Sequence, residues 1–190
     1  MTRRIAMLFG TPGVGKTTLA WRLIDAVGES SWRECEPIKL VHALYCERLD
    51  LLMIGRYSRE PCGSRYRYAG VDRLAMNCQP NAKKLIAETA SSVFVEGDRF
   101  SNASFVEFLI TLDPGALILN LYADPDVVAR RQRDRGDDRT DRFLRARETK
   151  YANIRAHPLF AERVRIMPNN DLEQHEAVWR VLLRHLEINR

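Results

Sequence analysis

Residues 5–18 read Ile5-Ala6-Met7-Leu8-Phe9-Gly10-Thr11-Pro12-Gly13-Val14-Gly15-Lys16-Thr17-Thr18, and this stretch decides the fold. Ile5 to Phe9 is a continuous apolar run, as a parallel strand buried on both faces requires. Gly10 to Thr17 matches G-x-x-x-x-G-K-[ST], and helix signals follow from Lys16 to about Val27. The spacing has a chemical reason. Glycines let the backbone curl until successive N–H groups converge on a phosphate, and the helix that follows adds the positive end of its dipole. Lys16 is then placed to reach the β- and γ-phosphates, and the Thr17 hydroxyl to bind Mg²⁺. Gly10, Pro12, Gly13, Val14, Gly15, Lys16, Thr17 and Thr18 form the expected nucleotide-binding set. The motif indicates a nucleoside triphosphate with magnesium, but not the reaction: a kinase, a GTPase switch and an ATPase motor all use it. No N-K-x-D guanine-reading motif occurs, and 190 residues are few for a motor core.

The rest of the chain suits one α/β domain spanning 1–190. Its 45% hydrophobic and 29% charged residues exclude a mostly disordered chain. No apolar run approaches the ~20 residues of a membrane helix, and the amino terminus has no signal-peptide pattern, so a cytoplasmic location is expected. The net charge is +5, and only five of the thirty basic residues are lysine. Arginine holds phosphates bidentately, so this balance leans toward a polyanionic partner. The four cysteines form no CxxC pair and are expected as reduced thiols.

Outward from the glycine loop, Ile38 to Tyr45 and Leu49 to Tyr57 read as strands, with a hairpin turn near Glu47. Ser58 to Gly70 reads as a loop, Pro80 to Ala90 as a helix, and Val93 to Val95 and Ala116 to Tyr122 as buried strands. Helices over Asp126 to Arg135 and Asp141 to Ala156, a strand over Arg163 to Met167 and a helix over Asp171 to Leu186 complete the reading. Strands alternating with helices predict a parallel sheet of about five strands with helices on both faces.

Two further patterns carry chemistry. Strand Val93 to Val95 ends in Glu96-Gly97-Asp98-Arg99, and ligands of open α/β sheets bind at the carboxyl ends of strands. Carboxylates there suit holding a magnesium-bound water (Glu96) and taking a proton from an acceptor hydroxyl (Asp98), with Arg99 on a phosphate. Asp72 is the reserve base. Arg131 and Arg135 lie four apart on one helix face, where two arginines can neutralise a transferring phosphoryl group. The segment Asp138 to Arg142, rich in both signs, is expected within a mobile lid covering about 130–147.

The glycine loop, the E-x-D-R strand end, Asp124-Pro125-Asp126, R-x-x-x-R-G, and Pro168-Asn169-Asn170 before the last helix occur in an order that resembles the nucleoside and nucleotide kinases, thymidylate kinase most of all. The resemblance implies that Asp98 and Arg99 match the family's acceptor-side D-R pair, that Arg131 and Arg135 match its lid arginines, and that Asn169 and Asn170 lie near the adenine. The family's D-x-E-P-G after the second strand is missing. Gly55-Arg56-Tyr57-Ser58 and Gly70-Val71-Asp72-Arg73 stand in its place, and this resembles a group of bacteriophage P-loop kinases. Those act on 5-hydroxymethyluridine already in DNA, which implies ATP, Mg²⁺ and hydroxymethylated DNA as partners in an infected host cell. An acceptor-binding insertion over about 56–78 is then expected, with Arg56, Tyr57, Asp72, Arg73 and Arg99 contacting the acceptor. Its residues fit that reading independently: Arg56, Arg59, Arg65, Arg67 and Arg73 alternate with Tyr57, Tyr66 and Tyr68, suited to gripping a phosphate backbone and stacking on an extruded base. A free deoxynucleoside monophosphate acceptor and a non-catalytic nucleotide switch are the alternatives.

Overall fold

The computed structural model describes residues 3–57, 69–136 and 140–188; of residues 69, 135 and 141 it describes the backbone alone. Nine strands and six α-helices lie within it. Strand β1 (Ile5–Phe9) leads into α1 (Lys16–Val27). Then come β2 (Arg33–Ile38), β3 (Val41–Cys46), β4 (Leu51–Ile54) and the short β5 (Arg56–Tyr57) and β6 (Ala69–Gly70). Next are α2 (Gln79–Glu88), β7 (Ser92–Glu96), α3 (Ala103–Leu112) and β8 (Leu117–Tyr122). The chain closes with α4 (Pro125–Arg135), α5 (Asp141–Arg155), β9 (Val164–Pro168) and α6 (Leu172–His185).

Seven strands form one sheet in the order β2-β3-β4-β7-β1-β8-β9, parallel except where β3 pairs with β2 and β4. Alternation along β1 divides the core. Ile5, Met7 and Phe9 face a layer closed by Ala82 and Ile86 of α2, Phe105 and Leu109 of α3, and Tyr151 and Ile154 of α5. Ala6 and Leu8 face Leu19 and Leu23 of α1 and Val178, Trp179 and Leu182 of α6. Each fully buried side chain of this kind contributes about 1.5–3 kcal/mol, so β1 is held from both faces. The register Leu8↔Glu96 and Phe9↔Asn120 brings the ends of β7 and β8 beside the glycine loop.

The sheet has seven strands where about five are expected. The extra edge strand β2 has largely exposed side chains, so it shows no apolar run or clean alternation. The hairpin turn near Glu47 is present, as the 3₁₀ turn Glu47–Leu49. Helix α3 falls where the sequence reading assigns no element. ASFVEFLITL is apolar on most sides and masks a helical period, but Asn102 caps it, its side chain accepting from Phe105 N at 3.0 Å. Among the described residues no helix is long and apolar enough to cross a membrane.

Candidate active site at the ends of the central strands

The Lys16 side chain is buried, and its ammonium donates to Gly10 O at 2.7 Å and Thr11 O at 3.1 Å. The charge therefore sits inside the curl of the loop, where a phosphate would exchange with the two carbonyls. Gly15, at φ 92°, has no room for a side chain: a Cβ would lie 2.4 Å from Asn169 Nδ2. Thr17 lies in the first turn of α1 with its hydroxyl 3.4 Å from both Glu96 carboxylate oxygens.

Glu96 is 1% exposed, at the end of β7. Burial, reinforced by the nearby Asp72 charge, pushes its carboxyl up to about 8, against the pull of Lys16 and the Thr17 hydroxyl. A carboxylate held this far from water beside a threonine hydroxyl suits a divalent cation, which repays the cost of ionising it. Gly70 lets β6 lie directly over Glu96. Its φ is 76°, and a Cβ there would come 2.2 Å from Glu96 Oε1.

Asp98 is not poised as a free base. Its Oδ1 accepts from Lys150 Nζ at 2.8 Å and from the Tyr151 hydroxyl at 2.6 Å, and its Oδ2 lies 2.9 Å from Arg147 Nε. Burial pushes its pKa up, but these bonds together outweigh burial and hold the carboxyl below its usual range. The residue ties α5 to the end of β7.

Asp72 is exposed, in the 3₁₀ turn Val71–Arg73. Its Oδ1 accepts from Arg99 N at 2.8 Å and its Oδ2 from Asp98 N at 3.1 Å. One lone pair on each oxygen is thereby used. The Arg99 guanidinium turns back on the same segment, donating to Asp72 O at 2.9 Å and to the Met76 sulfur at 2.7 Å. Arg73 follows Asp72 in that turn, and the exposed Arg56 guanidinium contacts the His42 ring nitrogen.

Tyr57 corrects the expectation of a stacking residue. It is 5% exposed and packs edge-to-face on Trp21 of α1, with centroids 6.1 Å apart. A ring in the core has no face to offer a base. Arg59, Arg65, Arg67, Tyr66 and Tyr68 lie outside the described residues.

Arg131 also differs from expectation. Rather than spanning toward the transferring phosphoryl group, its guanidinium donates to Asn169 O at 2.8 Å, Asn170 O at 3.0 Å and Gly13 O at 3.3 Å. It clamps the β9–α6 loop to the glycine loop because α4 runs between them. The Arg135 side chain lies outside the description, as do residues 137–139 of the expected lid. Of the rest of that segment, α4 and the first half of α5 are regular helix, and α5 is rooted by the buried Tyr151 and Ile154.

Asn169 is buried, and its Nδ2 donates to Val14 O at 2.6 Å. Beside it lies a cleft of about 800 Å³, lined by Gly13, Gly15, Thr18, Arg131, Leu172 and His175 among others. Its size suits a nucleobase and ribose. Leu172 is 74% exposed at its rim, an apolar surface a flat ring would cover.

The sequence reading brings Lys16, Thr17, Glu96, Asp98, Asp72 and Arg99 to one end of the sheet, and they meet there. It misses Arg147, Lys150 and Tyr151, although their spacing puts them on one helix face. It also misses Leu172 and His175, for which no local signal exists: they border the site only because α6 docks beside α1.

No family model matches the chain, and no curated protein matches it. Among solved structures, a gluconokinase from Sinorhizobium meliloti 1021 aligns with 97% of this chain and 91% of its own, at 14% identity and a TM-score of 0.50. A sugar kinase from Janibacter sp. HTCC2649 aligns with 98% of this chain and 95% of its own, at 17% identity and a TM-score of 0.44. At such identity the likeness to the gluconokinase is one of fold alone, a mostly parallel sheet flanked by helices.

Proposed function

We propose that this chain is an ATP- and magnesium-dependent kinase that transfers the γ-phosphoryl group to a hydroxyl, with the 5-hydroxymethyl group of 5-hydroxymethyluridine in DNA as its acceptor. The observation that carries the kinase reading is the convergence of Lys16, Thr17 and the buried Glu96 at the adjoining ends of β1 and β7, with the exposed Asp72 beside them. A switch needs the first three; an exposed base beside them serves an acceptor.

The Thr17 hydroxyl and Glu96 would hold a magnesium ion, which would supply charge neutralisation to the phosphates. Lys16 leaves its carbonyl partners for the β- and γ-phosphates. The nucleobase fills the cleft bordered by α1, Arg131 and the start of α6, against Asn169. Asp72 accepts the proton of the acceptor hydroxyl, and Arg99, hydrogen-bonded to the Asp72 backbone, orients that segment. Asp98 keeps α5 in place. For the acceptor itself, support comes from the sequence between Arg56 and Arg73, five arginines alternating with three tyrosines, and from the exposed Arg56 at the base of that segment.

The deciding experiment supplies ATP labelled at the γ-phosphate to the protein with duplex DNA containing hydroxymethyluracil, the same duplex with thymine, free deoxynucleoside monophosphates, and gluconate. Label on the modified duplex alone is the expected result. Label on a free nucleotide or gluconate alone overturns the DNA acceptor and keeps the kinase. Slow hydrolysis with no labelled acceptor overturns the kinase.

A further inference from the structure

The wall of the nucleobase cleft is wired to the phosphate loop by a hydrogen-bond relay. Asn169 Nδ2 donates to Val14 O at 2.6 Å, so its Oδ1 is the acceptor end of the amide. That oxygen lies 3.2 Å from His175 Nδ1. An acceptor facing this ring nitrogen requires a donor, so Nδ1 carries the hydrogen. The relay therefore runs His175 Nδ1–H to Asn169 Oδ1, then Asn169 Nδ2–H to Val14 O. Nothing in the shape of an amide distinguishes its two ends. Turned over, Asn169 would set its oxygen against the Val14 carbonyl, two acceptors face to face in a buried site. The same group lies where a Gly15 Cβ would be, 2.4 Å away, so any displacement of Asn169 is felt directly by the loop.

We propose that His175 is a positioning residue: by fixing the amide of Asn169 it holds the Val14–Gly15 turn in the form that presents its backbone N–H groups to phosphate, so the base-binding wall sets the phosphate-binding conformation. The consequence for ATP rests on the nucleotide reading above; the relay does not. Neither His175 nor its tautomer role is signalled by the glycine-loop motif, which lies more than 150 residues away in the chain.

The test compares His175→Leu, which removes the donor, with His175→Asn, whose amide nitrogen falls close to the position of Nδ1. Backbone amide exchange over residues 10–18 is followed in the ligand-free protein. Losing one partner of a buried relay should speed exchange there about tenfold in His175→Leu, and His175→Asn should return most of the protection. In an Asn169→Ala background, His175→Leu should add nothing, since the relay is already cut. Unchanged exchange in His175→Leu, or a full additional effect in the Asn169→Ala background, overturns the proposal. With ATP, His175→Leu should raise KM about tenfold with kcat changed less than about threefold. A fall in kcat at constant KM overturns the proposal. If the unaltered protein neither binds nor uses ATP while loop exchange still responds to His175→Leu, the nucleotide reading is overturned and the relay is supported.

Discussion

Asp98→Asn separates an anchor from a base. In the folded protein the Asp98 side chain is 21% exposed, and it meets Arg147 (31%) and Lys150 (26%) at 2.9 and 2.8 Å. The Tyr151 hydroxyl adds a bond at 2.6 Å. Breaking a fully buried ion pair costs about 3–5 kcal/mol, and an exposed pair contributes about 0–1 kcal/mol. A carboxylate exposed by about a fifth belongs between these limits, so removing its charge should cost about 2 kcal/mol. For a chain of this length each kcal/mol moves Tm by about 2–4 °C, so the midpoint should fall by about 4–8 °C. Asparagine keeps the size and still accepts from Tyr151, so the fold should persist. Turnover is then measured at least ~10 °C below the variant's own midpoint and should stay within about tenfold of the unaltered protein. Asp72→Asn should do the opposite, lowering kcat by at least ~10²-fold with a smaller change in Tm. The pH dependence follows the same assignment. The folded Asp98 carboxyl is held below its usual value, so its contribution is complete above the unfolded value of about 3.9 and is lost as pH falls through the folded one. The stability gap between the unaltered protein and Asp98→Asn should therefore close on acidification. An unchanged Tm with turnover abolished would return Asp98 to the role of base and refute the anchor argument.

Lys16→Ala removes a charged donor from the transferring phosphoryl group and should lower kcat by at least ~10²-fold with the circular dichroism spectrum unchanged; near-normal transfer would remove the phosphate-loop assignment. Glu96 behaves oppositely to Asp98. Its folded value is pushed up to about 8, so above the unfolded carboxylate range it weakens the metal-free fold progressively as pH rises toward 8. Thermal melts without metal should show the unaltered protein losing stability between about pH 5 and 8 relative to Glu96→Gln, and parallel curves would refute the assignment. Replacing Arg65 and Arg67 together should weaken binding to hydroxymethylated duplex, reduce the slope of log affinity against log salt by about 0.9 for each DNA phosphate no longer neutralised, and leave ATP affinity nearly intact; an unchanged slope would detach that segment from DNA.

The glycine loop could be read from the chain because every part of it is local. A strand, a curl and a helix start within fourteen residues, and each needs particular residue types where they stand. Glu96 and Asp98 were legible for a related reason: a short apolar run ending in carboxylates puts those groups at a strand's carboxyl end wherever the strand lies in the sheet. What each carboxylate does is a tertiary matter. Glu96 is buried under Gly70 because β6 folds back across β7, and Asp98 is neutralised because α5 brings Arg147, Lys150 and Tyr151 against it. Tyr57 looked like a surface aromatic because its neighbours are arginines, but pairing with β6 turns it onto Trp21. Arg131 carries the same charge in either reading, and only the course of α4 between two loops decided that it grips Gly13, Asn169 and Asn170. The glycine loop was therefore determined by local sequence, where backbone geometry is dictated over a few residues. The division of labour among the charged groups around it was decided by packing between segments far apart in the chain, since desolvation and ion pairing depend on which neighbours the fold supplies.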